Sequence, residues 1–254
     1  MRLGPASLLV LLAPASAGAS SAPPPVSLAA SPARVALVGS GQEAIRITNS
    51  GTKAVDVEVT RAGFALDLRG RPRIVAGRRL DAARWLLVRP RRLSLRPRTT
   101  GSLTVSSLVP QGARAGDHGA LIVLTTRPIR GARVAVRMRL GVVVVVRAPG
   151  PVSRRLELRR LRVRRLRSSR ILELYVANRG NVTELLPRGR VSVILRQGRR
   201  ILARLHPAPR ELLPRTTGIV SVRYRGRARG PATALVEVSP EPRRLLRRTY
   251  HLRL

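Results

Sequence analysis

Beyond Val26, apolar residues alternate with polar ones far more often than they recur at helical spacing, a period of two that belongs to strands with one covered face. Ala44-Ile45-Arg46-Ile47-Thr48, then Asn49-Ser50-Gly51-Thr52, then Val55-Asp56-Val57-Glu58-Val59 predicts strand, turn, strand. Asn and Gly at the turn accept the left-handed backbone that tight reversals require. Further on, Val134, Val136, Met138 and Leu140 alternate with Arg133, Ala135, Arg137 and Arg139. That spacing predicts a strand with one buried and one arginine-bearing face, and Val142 to Val146 extends it as a strand covered on both sides. The run from Arg154 to Arg167 admits two readings, a basic amphipathic helix suited to anionic membrane or nucleic acid, or a strand; its apolar residues gather into no narrow helical stripe, which favours the strand. Leu156/Leu158 and Leu161/Val163 point inward, and an irregularity at Arg159-Arg160 reads as a bulge.

The second half repeats the first. Leu95-Arg96-Pro97-Arg98-Thr99-Thr100-Gly101 matches Leu212-Leu213-Pro214-Arg215-Thr216-Thr217-Gly218. Asn49-Ser50-Gly51 has a counterpart in Asn178-Arg179-Gly180, and Ala120-Leu121-Ile122-Val123 in Ala234-Leu235-Val236-Glu237. Matches in one order with similar offsets indicate duplication. Each unit has the size, and the short turn-punctuated strands, of an immunoglobulin-like sandwich. The expected fold is all-β: two tandem immunoglobulin-like β-sandwich domains, 26–148 and 152–254, joined at Ala148-Pro149-Gly150-Pro151, after a signal peptide at 1–19.

The signal peptide is read from Met1-Arg2, the apolar block Ala6 to Ala13, and the small-residue segment Ala15-Ser16-Ala17-Gly18-Ala19. It places the protein outside the cytoplasm, secreted or cell-wall associated. No later apolar run reaches the ~20 residues a helix needs to cross a bilayer, so no transmembrane segment is expected in the mature chain. The 254 residues hold 50 basic and 12 acidic side chains, a formal net charge of +38, with Lys53 the only lysine. Such a field attracts anionic polymers. Aromatics make up only 2%, so the core must be aliphatic, and single-stranded nucleic acid would lack stacking platforms. Cysteine is absent, which excludes disulfides, thiolate metal sites and a cysteine nucleophile.

Candidate chemistry is sparse. Asp117-His118 is the one adjacent acid–imidazole pair among three histidines, and Gly116-Asp117-His118-Gly119 reads as a turn entering a strand. Leu213-Pro214-Arg215-Thr216-Thr217-Gly218 approaches a sortase signal, but the extra Thr and its twin at Pro97 to Gly101 make it a repeated turn. Asn181-Val182-Thr183 fits the glycosylation pattern and is read as part of a turn. No nucleophile elbow, zinc helix, phosphate loop or dinucleotide fingerprint is present. The chain reads as non-enzymatic, without catalytic residues, metal ligands or cofactor, and no individual binding residue stands out.

Two family resemblances follow from particular residues. Trp85-Leu86-Leu87-Val88-Arg89-Pro90, Leu93-Ser94-Leu95-Arg96-Pro97, the stretch Val109 to Val123, and Arg137-Met138-Arg139-Leu140-Gly141 resemble the first domain of the WxL-interacting protein family. That resemblance implies peptidoglycan binding by the first domain and a surface-protein partner for the second. The second resemblance is to the periplasmic pilus chaperones, also built of two immunoglobulin-like domains. Arg34 in Pro32-Ala33-Arg34-Val35 lies where they carry a cleft arginine that holds a subunit's terminal carboxylate, though the expected lysine partner has no clear match. There Val134 to Leu140 would be a donor edge. The leading expectation is an exported cell-envelope binding protein, an adaptor between peptidoglycan or anionic cell-wall polymer and another surface protein, with no specific nucleic acid. The alternative is a periplasmic pilus-type assembly chaperone acting by strand donation.

Overall fold

Alternating Val, Ile and Leu positions become the inner faces of paired strands in the computed structural model, which describes residues 24–75, 81–127, 137–241 and 244–254. The first half carries β1 (Leu28–Ser31), β2 (Arg34–Val38), β3 (Gln42–Asn49), β4 (Val55–Leu66) and β5 (Pro72–Val75). A short helix α1 (Asp81–Trp85) precedes β6 (Leu86–Arg89), β7 (Arg92–Leu95), β8 (Thr100–Ser107), β9 (Gly116–Thr126) and β10 (Arg139–Ala148). One sheet runs β1-β3-β8-β6; the facing sheet runs β2-β10-β9-β4-β5, with β7 also paired to β4. After Ser31 the chain changes sheets, so β1 lies antiparallel to β3 while β2 lies parallel to β10.

Ile45, Ile47, Leu103 and Val105 from one sheet meet Ile122, Leu124, Val142, Val144 and Val146 from the other. Each such side chain removed from water contributes about 1.5–3 kcal/mol, which is how a core with few aromatics closes. Val142, Val144 and Val146 are fully buried, Val145 is buried on the opposite face and Val143 is half-buried, so the valine strand is covered on both sides.

The second half repeats the arrangement with β11 (Leu156–Arg165), β12 (Arg170–Asn178), β13 (Glu184–Leu186), β14 (Val191–Gln197) and β15 (Arg200–Leu205). The chain continues through β16 (Arg210–Leu212), β17 (Thr217–Tyr224), β18 (Pro231–Glu241) and β19 (Arg244–Arg253). Sheets β11-β12-β17 and β15-β14-β18-β19 enclose a separate aliphatic core around Leu172, Leu174, Leu195 and Val236. The fold is thus two immunoglobulin-like β-sandwiches in tandem.

The duplicated motifs fold alike. Asn49 donates to the carbonyls of Lys53, Leu95 and Arg96 while its Oδ1 accepts the Gly51 N–H. Asn178 donates to Val182 and Leu212 and accepts from Gly180. Arg98 and Arg215 both take φ of 57°, and the Thr99 and Thr216 hydroxyls each donate to a carbonyl three residues back, on Arg96 and Leu213.

The Arg154–Arg167 run forms strand β11, and the register with β12 shifts between Leu158 and Arg160, where the bulge was expected. Leu161 and Val163 alternate inward as expected but are only half-buried, because β11 is an edge strand of its sheet, and Leu161 packs against the second core. Gly116-Asp117-His118-Gly119 is not a turn: it opens β9, since all four residues pair with β10. The signal peptide at 1–19 and the alternating residues Val134 to Val136 lie outside the described residues; β10 begins at Arg139.

Candidate functional site

Strand β10 is flanked unequally. It pairs with β9 over its whole length, but β2 covers only Val143 to Arg147 on its other side. The Val143 N–H donates to the Ala33 carbonyl, and the Arg147 carbonyl accepts from Gly39, so odd-numbered residues aim their main-chain polar groups away from β9. By the alternation of the ladder, the N–H and C=O of Arg139 and Gly141 point toward the open side, and no described strand pairs with them. Leu140 packs half-buried against the core with Met138, whereas Arg139 and Gly141 are exposed. A hollow of ≈ 340 Å³ adjoins this edge on the outer face, lined by Thr60, Ile74, Val123, Arg137 and Arg139 among others. Ile74 there is 58% exposed, but it belongs to β5 at the opposite edge of the sheet, so the apolar groups beside the unfilled ladder are Met138 and Leu140. The arrangement can accept one further strand, with main-chain bonds on one line and apolar contacts beside it.

At the opposite end of β9 and β10 the two sandwiches are clasped together. Asp117 accepts two hydrogen bonds from Arg147, at 2.7 and 3.1 Å, and a third from the Thr183 N–H of the second sandwich at 2.7 Å. Burial by itself raises the Asp117 carboxyl; the Arg147 and Thr183 bonds outweigh it and hold the group below its ordinary value. The Asp117 N–H donates to the Asn181 carbonyl, and the Asn181 side chain donates to Ala115 and Pro151. Across the same junction Arg34 pairs with Glu211 at 2.6 Å, Arg69 with Glu173 at 3.2 Å, and the Ile219 N–H with the Leu68 carbonyl. Leu213 inserts among Phe64, Leu121 and Val123 on the outer face of the first sandwich.

These contacts assign the residues singled out in the sequence. His118 faces away from Asp117, as neighbours on a strand must; its Nε2 meets the Arg114 carbonyl at 2.8 Å and its ring lies 4.6 Å from Trp85. Asp117 is spent on Arg147 and Thr183, so no acid–imidazole pair is assembled. Arg34 begins β2 beside Val143, and its guanidinium is engaged by Glu211, so the structure places an apolar residue and an internal carboxylate around the candidate cleft cation. Asn181 and Thr183 belong to the clasp. Glu211 left no signal in the sequence, and Thr183 and Gly116 were marked only as parts of turns, because their partners lie far along the chain and only packing brings them together. Among the described residues no cluster of three metal-ligating side chains occurs. No described helix is long and apolar enough to cross a membrane.

No family model matches the chain and no curated protein matches it, so the resemblance to the WxL-interacting proteins gains no support. Solved structures do match. A chain of the chaperone–tip adhesin complex of CFA/I fimbriae biogenesis superposes with a TM-score of 0.50 at 11% identity, covering 88% of this chain and 98% of that one. The class 5 fimbriae chaperone CfaA gives 0.49 at 11% identity, over 88% and 98%. The CsuC–CsuE chaperone–tip adhesion subunit complex from Csu pili of Acinetobacter baumannii gives 0.48 at 13% identity, over 89% and 97%. At such low identity the first of these shows a shared fold, and the chain has the two-domain, immunoglobulin-like architecture of that structure.

Proposed function

We infer that this protein is an extracytoplasmic assembly chaperone that holds a partner by lending it a strand edge. The reading replaces that of a peptidoglycan or wall-polymer adaptor, which neither the comparisons nor any feature of the fold supports. The observation that carries it is the half-covered β10: main-chain groups at Arg139 and Gly141 that no described strand pairs with on the side away from β9, beside half-buried Met138 and Leu140. The partner such an edge fits is a surface subunit that can accept an added strand; the solved structure of like fold comes from a chaperone–tip adhesin complex. Catalysis has no part in this role. We take the working units to be 26–148 and 152–254, with 149–151 as the joint and 1–19 as the export signal.

Arg139→Pro tests the proposal. Proline there removes one outward N–H and blocks the open side, while the ladder to β9, which uses the other side, is kept. Co-expressed with the surface subunits of its own host, the parent chain is expected to copurify with one of them and shield it from proteolysis. The variant, with unchanged thermal unfolding, is expected to lose that partner. Equal capture by parent and variant would show that β10 is not the donor.

A further inference from the structure

The second sandwich carries a basic hollow that the strand-donation reading does not use. Its walls are the β11–β12 loop and the β17–β18 loop, which reach the same end of the sheet because β12 lies between β11 and β17. Arg170 stands in register with Arg165 on one side and with Tyr224 on the other. The hollow measures ≈ 470 Å³ and is lined by Arg165, Arg167 and Arg170 from one loop and by Arg225, Arg227 and Arg229 from the other. None of its other lining residues is acidic. Elsewhere the acid-paired arginines meet carboxylates, as Arg34 meets Glu211 and Arg164 meets Glu173; among the described residues none of these six does.

The floor of the hollow is built rather than merely exposed. Arg170 Nη1 donates to the Gly226 carbonyl at 3.1 Å and ties the two loops together. Its Nε is buried beneath this tie and has no hydrogen-bond partner, so the side chain anchors the floor through Nη1. Gly226 sits so close over buried Tyr224 that a Cβ would lie 2.1 Å from the Tyr224 hydroxyl, so the second loop is packed down. The β11–β12 turn is closed by the Leu166 N–H bonded to the Ser169 carbonyl.

We propose that this hollow is a binding site for a phosphate group. A phosphate offers several charged oxygens in tetrahedral array, so guanidinium forks arriving from two loops can each bind it bidentately. A single carboxylate lies in one plane and satisfies fewer of them. Bound phosphate also relieves the mutual repulsion of six like charges.

The test uses the full chain and calorimetric titration with inorganic phosphate, ionic strength being held constant with sodium chloride. A second arm measures binding to phosphatidylcholine vesicles with and without phosphatidic acid. The double variant Arg167→Ala/Arg227→Ala removes two exposed charges from the hollow; Arg73→Ala/Arg92→Ala removes two exposed charges from the first sandwich. Saturable phosphate binding that weakens about tenfold or more in the first pair alone supports the site and a soluble ligand. Binding to phosphatidic acid vesicles only, lost in the same pair alone, supports the site and assigns its phosphate to a lipid headgroup. Absence of saturable binding in both arms, or equal weakening in both pairs, overturns the proposal.

Discussion

Asn178 is fully buried, and its carboxamide is used at both ends, donating to Val182 and Leu212 and accepting from Gly180. Asn49 does the same work in the first sandwich. Removing such a side chain leaves main-chain groups from separate segments without partners where water cannot replace them. Each orphaned group costs about 1–3 kcal/mol, so Asn178→Ala is expected to lose about 3 kcal/mol in denaturant unfolding, and Asn49→Ala a similar amount. Ser50→Ala, which touches only the exposed Ser27 hydroxyl and carbonyl, is expected to stay within about 0.5 kcal/mol of the parent. The Asn-x-Gly spelling was visible in the sequence as a turn. That each asparagine anchors its whole sandwich end was not, because the acceptors on Leu95, Arg96 and Leu212 lie more than thirty residues away.

The strand is the scale at which the sequence was most readable. Alternation located β3, β4, β10 and β11, and even the bulge at Leu158/Arg160, because a strand's two faces are a local property of its spelling. Gly116 to Gly119 was misjudged for the same reason: two glycines around Asp-His carry the local marks of a turn, yet pairing along β10 overrides them. Nor does spelling say which side of a strand is covered. Val143 and Gly141 look alike as members of β10, but Val143 is bonded to Ala33 while Gly141 faces the open side. In the free protein, the amides of Arg139 and Gly141 are expected to exchange with solvent rapidly and that of Val143 slowly, as read by nuclear magnetic resonance. Slow exchange at Arg139 and Gly141 would mean that the edge is already occupied.

At the scale of the molecule, the clasp around Asp117 bonds the two sandwiches to each other. Gly116 has φ of 115°, and a Cβ there would lie 2.1 Å from the Asn181 carbonyl of the other sandwich. Gly116→Ala is therefore expected to push the halves apart, cost at least about 2 kcal/mol and split one calorimetric transition into two. Gly112→Ala, at φ of 77° with open space around it, is expected to cost only about 1–2 kcal/mol of backbone strain and keep a single transition. The clasp also carries a pH dependence. Because the folded Asp117 carboxyl lies below its ordinary value of 3.8, its contribution is full above that pH and is lost as acid takes the solution down through the folded value. Asp117→Asn is expected to flatten that acid limb of stability, measured as melting temperature against pH.

Strand positions, the repeat and an aliphatic core were determined by the sequence alone, since each depends on residues close together or on bulk composition. The open length of β10, the clasp and the convergence of six arginines on one hollow were decided only by tertiary structure. They join residues tens to more than a hundred and fifty positions apart, as Arg34 and Glu211 are, and no periodicity along a chain encodes which distant groups packing will set face to face.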